Sequence, residues 1–263
     1  VIGSGKLGEA LIRGLLDASA TRPEQITITT AHSDRRERLA HALGVHCAAS
    51  NRAAIKTADI VLLAVKPQQV PVVLSEIGTT INSHQLLISV AASVSTAFIE
   101  KQIIAPVPVI RAMPNTAALI KRSMTGIAAG RSAKARHLAL ALEIFRAIGR
   151  VVVVDEKHMD AITGLSASGA AFLYIVIEAL AEGGVKVGLP RDLATELAAQ
   201  TMHGAGAMVL ETGEHPARLK DMVTTPAGCT IDGILELEDG GLRVTLIKAV
   251  VRATERAREL LET

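Results

Sequence analysis

Three glycines near the start of the chain have the spacing of a phosphate-binding turn. Gly3, Gly5 and Gly8 fit the pattern G-x-G-x-x-G between a short apolar run and a segment of helical periodicity. In this setting the first glycine permits a tight turn, the second lets a pyrophosphate approach the backbone, and the third allows close helix packing. The N–H groups at the helix start then face the phosphates. We predict a dinucleotide site here rather than an ordinary glycine turn, formed by Gly3, Ser4, Gly5, Lys6, Leu7 and Gly8.

The residues after the second predicted strand indicate which dinucleotide is bound. An NAD site commonly has Asp or Glu at the end of this strand, where the carboxylate binds the ribose hydroxyls. No carboxylate ends this strand, and Ser33, Arg35 and Arg36 follow it. Hydroxyl and guanidinium groups suit a 2′-phosphate. We therefore predict NADPH, with NADH as the alternative. A second interpretation stays open, in which Asp34 caps the next helix and both arginines lie on its solvated face.

Three polar loops follow three further strand-like runs, at 64–68, 89–92 and 111–116. Ligands bind at the carboxyl ends of strands in open α/β sheets, so the three loops predict one shared cleft. In the first loop, Lys66 either faces the cofactor or a carboxylate, or is a surface lysine in a turn. The loops contain no Ser-His-Asp set, no paired carboxylates and no metal-ligand spacing. Hydride transfer needs none of these groups, because the cofactor carries the chemistry.

Elements that position these residues change character near residue 155. Residues 1–155 alternate apolar β-branched runs with helical patterns, which predicts an α/β Rossmann-type domain with a mainly parallel sheet. Residues 156–263 read as four long helices, the first interrupted by a glycine-rich bend between 164 and 169. We therefore expect an all-α C-terminal domain. Its small residues permit close helix approach, and we expect it to pack against a copy of itself as a dimerisation domain.

Composition excludes several other classes of protein. The net charge is +2 and aromatic residues make up only 2%, which argues against a basic, base-stacking nucleic-acid surface. The only cysteines, Cys47 and Cys229, are too few and too far apart for a disulfide framework, so we expect a reducing cytoplasm. We find no apolar run of membrane-spanning length and expect no membrane partner.

A polar loop at 223–230 stands out in a helical region rich in alanine and leucine. It reads VTTPAGCT and precedes an apolar helical pattern. The simple interpretation is a well-capped helix start. The alternative is a substrate pocket, in which threonine hydroxyls and the N–H groups of the helix bind an anion without any arginine.

Several segments together resemble one family. They are VIGSGKLGEAL, LAVKPQ, SVAASVS, RAMPNT, MTGIAAG, DAITGLSASGAAF, EGGVKVGLP and HPARLKDMVTTPAGCTIDGILELEDGGLR. Their order and spacing are similar to pyrroline-5-carboxylate reductases over essentially the whole chain. The resemblance implies reduction of the cyclic imine Δ1-pyrroline-5-carboxylate to L-proline with NAD(P)H. It also implies a Rossmann domain, a helical domain that interlocks in a dimer, and often a decamer.

The resemblance also implies roles for particular residues, with the pyrroline pocket between the nicotinamide and the Thr-Thr-Pro loop. The substrate would contact Val223, Thr225, Gly228, Cys229, Thr230 and Ser168. Further cofactor contacts would be Asn51, Ala64, Val65, Lys66, Pro67, Ala91 and Ala92. Catalytic candidates are Thr230, as a hydrogen-bond partner of the ring nitrogen, and Lys66. We find no convincing general acid and expect positioning to dominate.

This sequence departs from the family pattern at several positions. Ala227 replaces a glycine in the Thr-Thr-Pro loop, where a positive φ would strain alanine. Met222 stands where Asn is frequent, and Ser93 ends a segment that is usually SVAAG. The bend reads SASGAAF instead of SGSGPAY, so it loses a proline and a hydroxyl at Ala170 and Phe172. We expect these departures to alter pocket shape and efficiency more than reaction type.

Two other functions remain open on the residues alone. One is a different NADP-dependent imine or β-hydroxyacid reductase with the same two-domain layout. The hydroxyacid enzymes use a lysine soon after the interdomain glycines, whereas Lys186 lies far beyond Gly169. The other is a non-catalytic NADP-binding sensor, in which the polar loop at 224–230 would have no purpose.

Overall fold

The computed structural model describes residues 1–31 and 33–260, and of Ser33 the backbone alone. The chain divides into two compact units. The first contains residues 1–168 and the C-terminal segment from residue 252, and the second runs from Gly169 to Val251.

The first unit is built on a mainly parallel sheet. Its strands are β1 (Thr27–Ile28), β2 (His46–Cys47), β3 (Ile60–Leu63), β4 (Leu86–Ser89), β5 (Val109–Met113), β6 (Ser123–Ala129) and β7 (Gly149–Val153). β1 pairs with β2, and β3 to β7 follow one another in order. Ile2 bridges β1 and β3 in parallel and joins the two sets. Among the described strands, only the β5–β6 pair is antiparallel. The strand order β2-β1-Ile2-β3-β4-β5 is that of a Rossmann sheet, and the prediction of a mainly parallel sheet is confirmed.

Helices cover both faces of this sheet, which explains the continuous apolar runs of its central strands. In β3, Val61 and Leu63 point to one face and Leu62 points to the other. The helices of this unit are α1 (Lys6–Asp17), α2 (Ser33–Leu43), α3 (Asn51–Ile55), α4 (Val70–Ile77), α5 (Thr96–Gln102), α6 (Ala135–Arg146) and α7 (Met159–Ile162). Helices α4 and α5 pack on the first face, and α1 and α6 pack on the second.

Every described element of the second unit is helical. Its helices are α8 (Gly169–Lys186), α9 (Arg191–Thr212), α10 (Pro216–Met222), α11 (Cys229–Asp239) and the part of α12 (Leu242–Glu259) that precedes residue 252. Small residues join α8 to α9, because Ala181, Ala194 and Ala198 form a buried cluster. Many larger apolar side chains stay exposed, among them Ile175, Leu180, Leu210, Leu235 and Ile247. An apolar surface of this extent is typical of a protein–protein interface.

The α-helix is interrupted where the sequence predicts a bend, because α7 ends at Ile162, Thr163–Ala167 form a π-helical turn and α8 begins at Gly169. The helical stretch as a whole runs from Glu156 to Lys186. No charged residue lies between Asp160 and Glu178. The expectation that no segment reaches membrane-spanning length is wrong, because this stretch is long and apolar enough by length and composition. A single helix of this kind is weak support for a membrane span, and most of it is unburied in the isolated chain.

Candidate functional site

The glycine turn has the geometry that a bound pyrophosphate requires. Gly3 has a φ of +88°, and a Cβ there would lie 2.7 Å from the Val65 side chain. A Cβ on Gly8 would collide with the carbonyl oxygen of Gly3. Around Gly5 no atom would lie within 4 Å of an added Cβ, and Gly5 is the N-cap of α1 with no side-chain cap. The N–H groups at the start of α1 therefore face the open space beside Gly5, which has no side chain. This arrangement fits a phosphate.

Residues that follow β1 and β3 lie against this turn. The Ser4 hydroxyl, nearly inaccessible, donates to the carbonyl oxygen of Thr29 over 3.1 Å. The Ala64 N–H donates to the Ile2 carbonyl over 2.8 Å. Lys66 then follows as an exposed residue that caps a 3-10 turn beginning at Pro67. The segments 3–8 and 64–67 thus lie together at the carboxyl edge of the sheet, where the sequence predicts the cofactor.

The arginines after β1 are only partly available. Arg35 Nη2 lies 3.2 Å from Glu9 Oε2, and the same carboxylate pairs with Arg13 at 2.9 Å and Arg38 at 3.5 Å. Arg35 Nε is buried and has no partner among the described residues. Arg36 is half-buried, and its carbonyl oxygen accepts a hydrogen bond from the Cys47 thiol. The prediction for the Ser33 side chain lies outside the described residues. Sequence reasoning missed Glu9, because nothing in its spacing relates it to Arg35.

Asn51 is held by two neighbours rather than left free. Its side-chain oxygen accepts from the Thr29 hydroxyl over 2.6 Å, and its nitrogen donates to Glu76 over 2.7 Å. Thr29 ends the strand beside the glycine turn, so Asn51 is near the expected ribose position.

The loop after β4 contains a strained residue. Ala91 is buried, with its N–H donating to the Ser89 hydroxyl over 3.3 Å, and Ala92 is half-buried. Ser93 follows with a φ of +66° and is 6% exposed. Its hydroxyl is buried without a partner among the described residues. Since a positive φ favours glycine, the departure from SVAAG to SVAAS has a structural cost at this position.

A buried polar network lies under the loop after β5. Arg111 is 2% exposed, and its guanidinium pairs with Asp160 at 2.6 Å and approaches Glu156 at 3.8 Å. Glu156 also accepts hydrogen bonds from the backbone and hydroxyl of Thr96. This network fixes the start of the helix that leads to Ser168, a predicted substrate residue.

Asn115 connects the loop after β5 to the π-helical turn. Its side-chain nitrogen donates to the Ser166 hydroxyl over 3.3 Å, and its backbone N–H donates to the Ser123 hydroxyl over 3.1 Å. Ser166 in turn donates to the Met124 carbonyl over 3.4 Å. The polar residues of RAMPNT therefore order the serine-rich turn.

A cavity of about 570 Å³ lies at the other edge of the sheet. Its lining includes Glu24, Thr57, Asp59 and Glu143, around the amino ends of the strands. Because ligands of open α/β sheets bind at the carboxyl ends, this cavity is not the nucleotide site.

In the second unit, the predicted substrate loop is a tight turn before α11. The Gly228 N–H donates to the Thr225 carbonyl over 3.0 Å, with Pro226 and Ala227 between them. Ala227 has a φ of +57°. Proline followed by a residue of positive φ is the pattern of a type II turn, whose second central position favours glycine. The sequence predicts backbone strain at Ala227 if its φ is positive, and its φ is positive in the structure.

The expectation of a well-capped start for α11 is wrong. Gly228 is the N-cap of this helix and makes no side-chain cap bond. Thr224 instead donates to the Lys220 carbonyl over 2.9 Å, at the end of α10. Val223, Thr225 and Cys229 are exposed, and Thr230 is half-buried. The first N–H groups of α11 are left for another acceptor, as an anion site requires.

The fold and the glycine turn define a Rossmann-type dinucleotide-binding oxidoreductase with an appended helical unit. Residues 156–260 match the family described as pyrroline-5-carboxylate reductase dimerisation, and residues 1–93 match the family described as NADP oxidoreductase, coenzyme F420-dependent. The chain is 46% identical over 259 residues to pyrroline-5-carboxylate reductase of Methanosarcina acetivorans, covering 98% of this chain and 96% of that protein. It is 40% identical over 263 residues to the Arabidopsis thaliana protein of the same name, covering 100% and 95%.

Solved structures agree with this assignment. A pyrroline-5-carboxylate reductase from Coxiella burnetii superposes with a TM-score of 0.90 at 36% identity, over 98% of this chain and 96% of that one. A Plasmodium falciparum pyrroline carboxylate reductase with NADP bound gives 0.89 at 28% identity, over 98% and 95%. This chain belongs to the pyrroline-5-carboxylate reductase family. The dimerisation family also accounts for the exposed apolar helices, which the chain uses for self-association.

Proposed function

We propose that the chain reduces Δ1-pyrroline-5-carboxylate to L-proline with NADPH as the reductant. Family membership over the full chain supports this reaction. The structural observation that supports it most directly is the loop 223–230. This loop leaves the N-terminus of α11 uncapped beside two threonine hydroxyls, Thr225 and Thr230. A sensor that only binds nucleotide has no use for such an anion site.

The loop is suited to the carboxylate of the substrate. The N–H groups at the start of α11 donate hydrogen bonds, and the dipole of this 11-residue helix favours a negative charge. The groups that would line the site are Val223, Thr225, Gly228, Cys229 and Thr230. Ser168, which follows the π-helical turn, is a further substrate residue implied by the family resemblance. Ala227 sets the turn that presents these N–H groups, although its φ is unfavourable for alanine.

The open space and the unpaired donor of the nucleotide site are suited to NADPH. The open space at Gly5 admits the pyrophosphate, and the unpaired Nε of Arg35 offers a donor to the 2′-phosphate. Asn51, the segment 64–67 and Ala91–Ala92 would line the rest of the cofactor. Lys66 is exposed and would contribute its charge beside the cofactor or the carboxylate. When bound, NADPH supplies a hydride to the imine carbon.

The residues of the chain have a positioning task in this reaction. A protonated ring nitrogen makes the imine a better hydride acceptor, and the Thr230 hydroxyl would hydrogen-bond that nitrogen directly or through water. Holding the carboxylate at α11 fixes the ring relative to this hydroxyl, and orientation of this kind lowers the activation barrier. The other catalytic candidate is Lys66.

We also propose the level of assembly and the organisation of the chain. Residues 1–155 form the dinucleotide-binding domain, and 156–263 form the substrate-binding and dimerisation domain. The self-associated form is a dimer or a decamer. The free thiols of Cys47 and Cys229 are compatible with a reducing cytoplasm, where we expect the chain to act.

The substrate proposal is tested with a panel of acceptors. NADPH oxidation is followed with pyrroline-5-carboxylate, its six-membered analogue, an imine that lacks the carboxylate, and 2-hydroxy acids in the reverse direction with NADP. We expect the highest kcat/KM with pyrroline-5-carboxylate and a large loss without the carboxylate. Equal rates with the uncharged imine would show that the loop does not serve as an anion site. Activity with hydroxy acids alone would favour the alternative reductase class.

The cofactor proposal has its own test. Replacing both Arg35 and Arg36 with Ala removes two guanidiniums from the expected 2′-phosphate position. Because charge-assisted hydrogen bonds contribute about 1.5–3 kcal/mol each, NADPH efficiency should fall by about tenfold or more while NADH efficiency changes little. The measurement is kcat/KM for both nucleotides. A wild-type ratio below one, or an unchanged ratio in the variant, would reverse the assignment.

A further inference from the structure

Three arginine side chains from α1 and α2 meet at one carboxylate, that of Glu9. Glu9 accepts from Arg13, four residues along α1, and its other oxygen lies 3.2 Å from Arg35 and 3.5 Å from Arg38. The Glu9 side chain is only 16% exposed. Burial alone would raise its pKa, but the hydrogen bond from Arg13 and the charges of Arg13, Arg38 and Arg35 outweigh burial and hold the pKa below its ordinary value. Glu9 is therefore ionised at neutral pH.

This cluster lies where the proposed cofactor would place its 2′-phosphate. Arg35 is in the first turn of α2, directly after the strand that ends at Thr29. Glu9 is in the first turn of α1, directly after the glycine turn. An arginine beyond the second strand is the residue that accommodates a 2′-phosphate in this fold. Glu9 thus occupies a guanidinium that the phosphate needs.

The cluster has an excess positive charge and a donor without an acceptor, both of which a second anion would satisfy. Glu9, Arg13, Arg35 and Arg38 together carry a charge of +2. A phosphate monoester carries about −1.5 to −2 at neutral pH, which matches that excess. Arg35 also keeps a buried Nε–H that has no partner among the described residues. A buried donor without an acceptor is unfavourable, so a second acceptor at this guanidinium is favoured.

We propose that Glu9 is a specificity-determining residue that competes with the 2′-phosphate for Arg35 and Arg38. It pairs with both arginines in the free protein, and the 2′-phosphate binds by displacing it from Arg35. A nucleotide without this phosphate leaves the Glu9 pairs intact. Glu9 therefore limits how strongly the chain prefers NADPH over NADH. This inference rests on the proposed use of NADPH.

The test is a binding measurement that needs no substrate and no turnover. Glu9→Gln keeps the side-chain size and removes the charge. Dissociation constants are measured by calorimetry for NADPH and NADH, and for the fragments 2′-phospho-ADP-ribose and ADP-ribose. We expect the two 2′-phosphorylated ligands to bind the variant about three- to tenfold more tightly, the effect of removing one like charge from a partly exposed site. Binding of the two ligands without the phosphate should change less than about twofold.

Two further variants make the result specific. Asp17→Asn, at the other end of α1, removes a carboxylate paired with Lys121 at 2.9 Å and should leave all four constants unchanged. Glu9→Asp withdraws the charge by one methylene and should give an intermediate gain, which keeps the test available if Glu9→Gln folds poorly.

Three outcomes would overturn the proposal. Weaker binding of 2′-phosphorylated ligands to Glu9→Gln means that Glu9 orients the arginines instead of competing for them. Unchanged binding means that these arginines do not contact the phosphate. An equal gain for all four ligands means a general electrostatic effect. Because the constants are measured without substrate, failure to reduce pyrroline-5-carboxylate would leave this result interpretable.

Discussion

Replacing Ala227 with glycine should stabilise the protein, although the substitution deletes a side chain. Ala227 has a φ of +57° in the turn closed by the Thr225 carbonyl and the Gly228 N–H. An L-residue in the left-handed region pays about 1–2 kcal/mol, which glycine avoids. Glycine also gains about 0.4–1 kcal/mol of freedom in the unfolded chain, which opposes the benefit. The difference is a net stabilisation of about 0.5–1 kcal/mol.

The assay is thermal unfolding at fixed protein concentration, because self-association makes the midpoint concentration-dependent. A change of 0.5–1 kcal/mol should raise Tm by about 1–4 °C in a chain of this size. Ala199, exposed in the middle of α9, is the matched control. Glycine there should lower stability by about 1 kcal/mol, since it is a poor helix former.

The two variants make the same chemical change with opposite expected signs. A fall in Tm for Ala227→Gly comparable to that for Ala199→Gly would refute the assigned turn geometry. Chemical denaturation gives an independent reading, because the midpoint should shift without a change in slope.

Three other predictions concern single side chains. Ser93→Gly should raise stability by about 1–2 kcal/mol by relieving a positive φ and removing an unpaired buried hydroxyl, and a fall in the unfolding midpoint would contradict this. Asp160→Asn should lower the free energy of unfolding by about 1.5–3 kcal/mol, because Arg111 loses its ionised partner. Chemical denaturation measures this change. A loss below about 0.5 kcal/mol, the size of ordinary surface effects, would exclude a structural role for the pair. Thr230→Ala should lower kcat/KM by the equivalent of about 1–3 kcal/mol, whereas Thr224→Ala, whose hydroxyl already bonds the Lys220 carbonyl, should cost little activity. Equal kinetics for the two threonine variants would discard the role of Thr230.

The sheet and the glycine turn are predictable from sequence because local chemistry decides them. The apolar runs of β3, β4 and β5 have no polar face, so they must lie in a sheet covered on both sides. Gly3 and Gly8 occupy positions where any Cβ would meet backbone, and such positions leave a clear mark in sequence.

Short helices and the π-helical turn are less visible in sequence. Helix α10 has seven residues, begins at Pro216 and ends before the substrate loop, so its length offers little periodicity. The turn at 163–167 differs from an α-helix by one residue of hydrogen-bond spacing, which small and apolar side chains do not reveal. The glycine and serines there favour an interpretation as a break.

Tertiary contacts account for the rest of what sequence reasoning missed. The pairing of Glu9 with Arg35 spans 26 residues, and no local pattern announces it. Arg111 has the appearance of a loop arginine until Asp160, 49 residues later, is found beside it. The missing side-chain cap of α11 is a subtler case. Thr224 has an alternative acceptor at the end of α10, and hydroxyls of this kind often bond the preceding helix.

Steady-state oxidation of NADPH in the presence of pyrroline-5-carboxylate, with identification of the product, tests the central claim most directly. We expect stoichiometric formation of L-proline, a higher kcat/KM with NADPH than with NADH, and little activity on an imine that lacks the carboxylate. Nucleotide binding without any L-proline formation would contradict it.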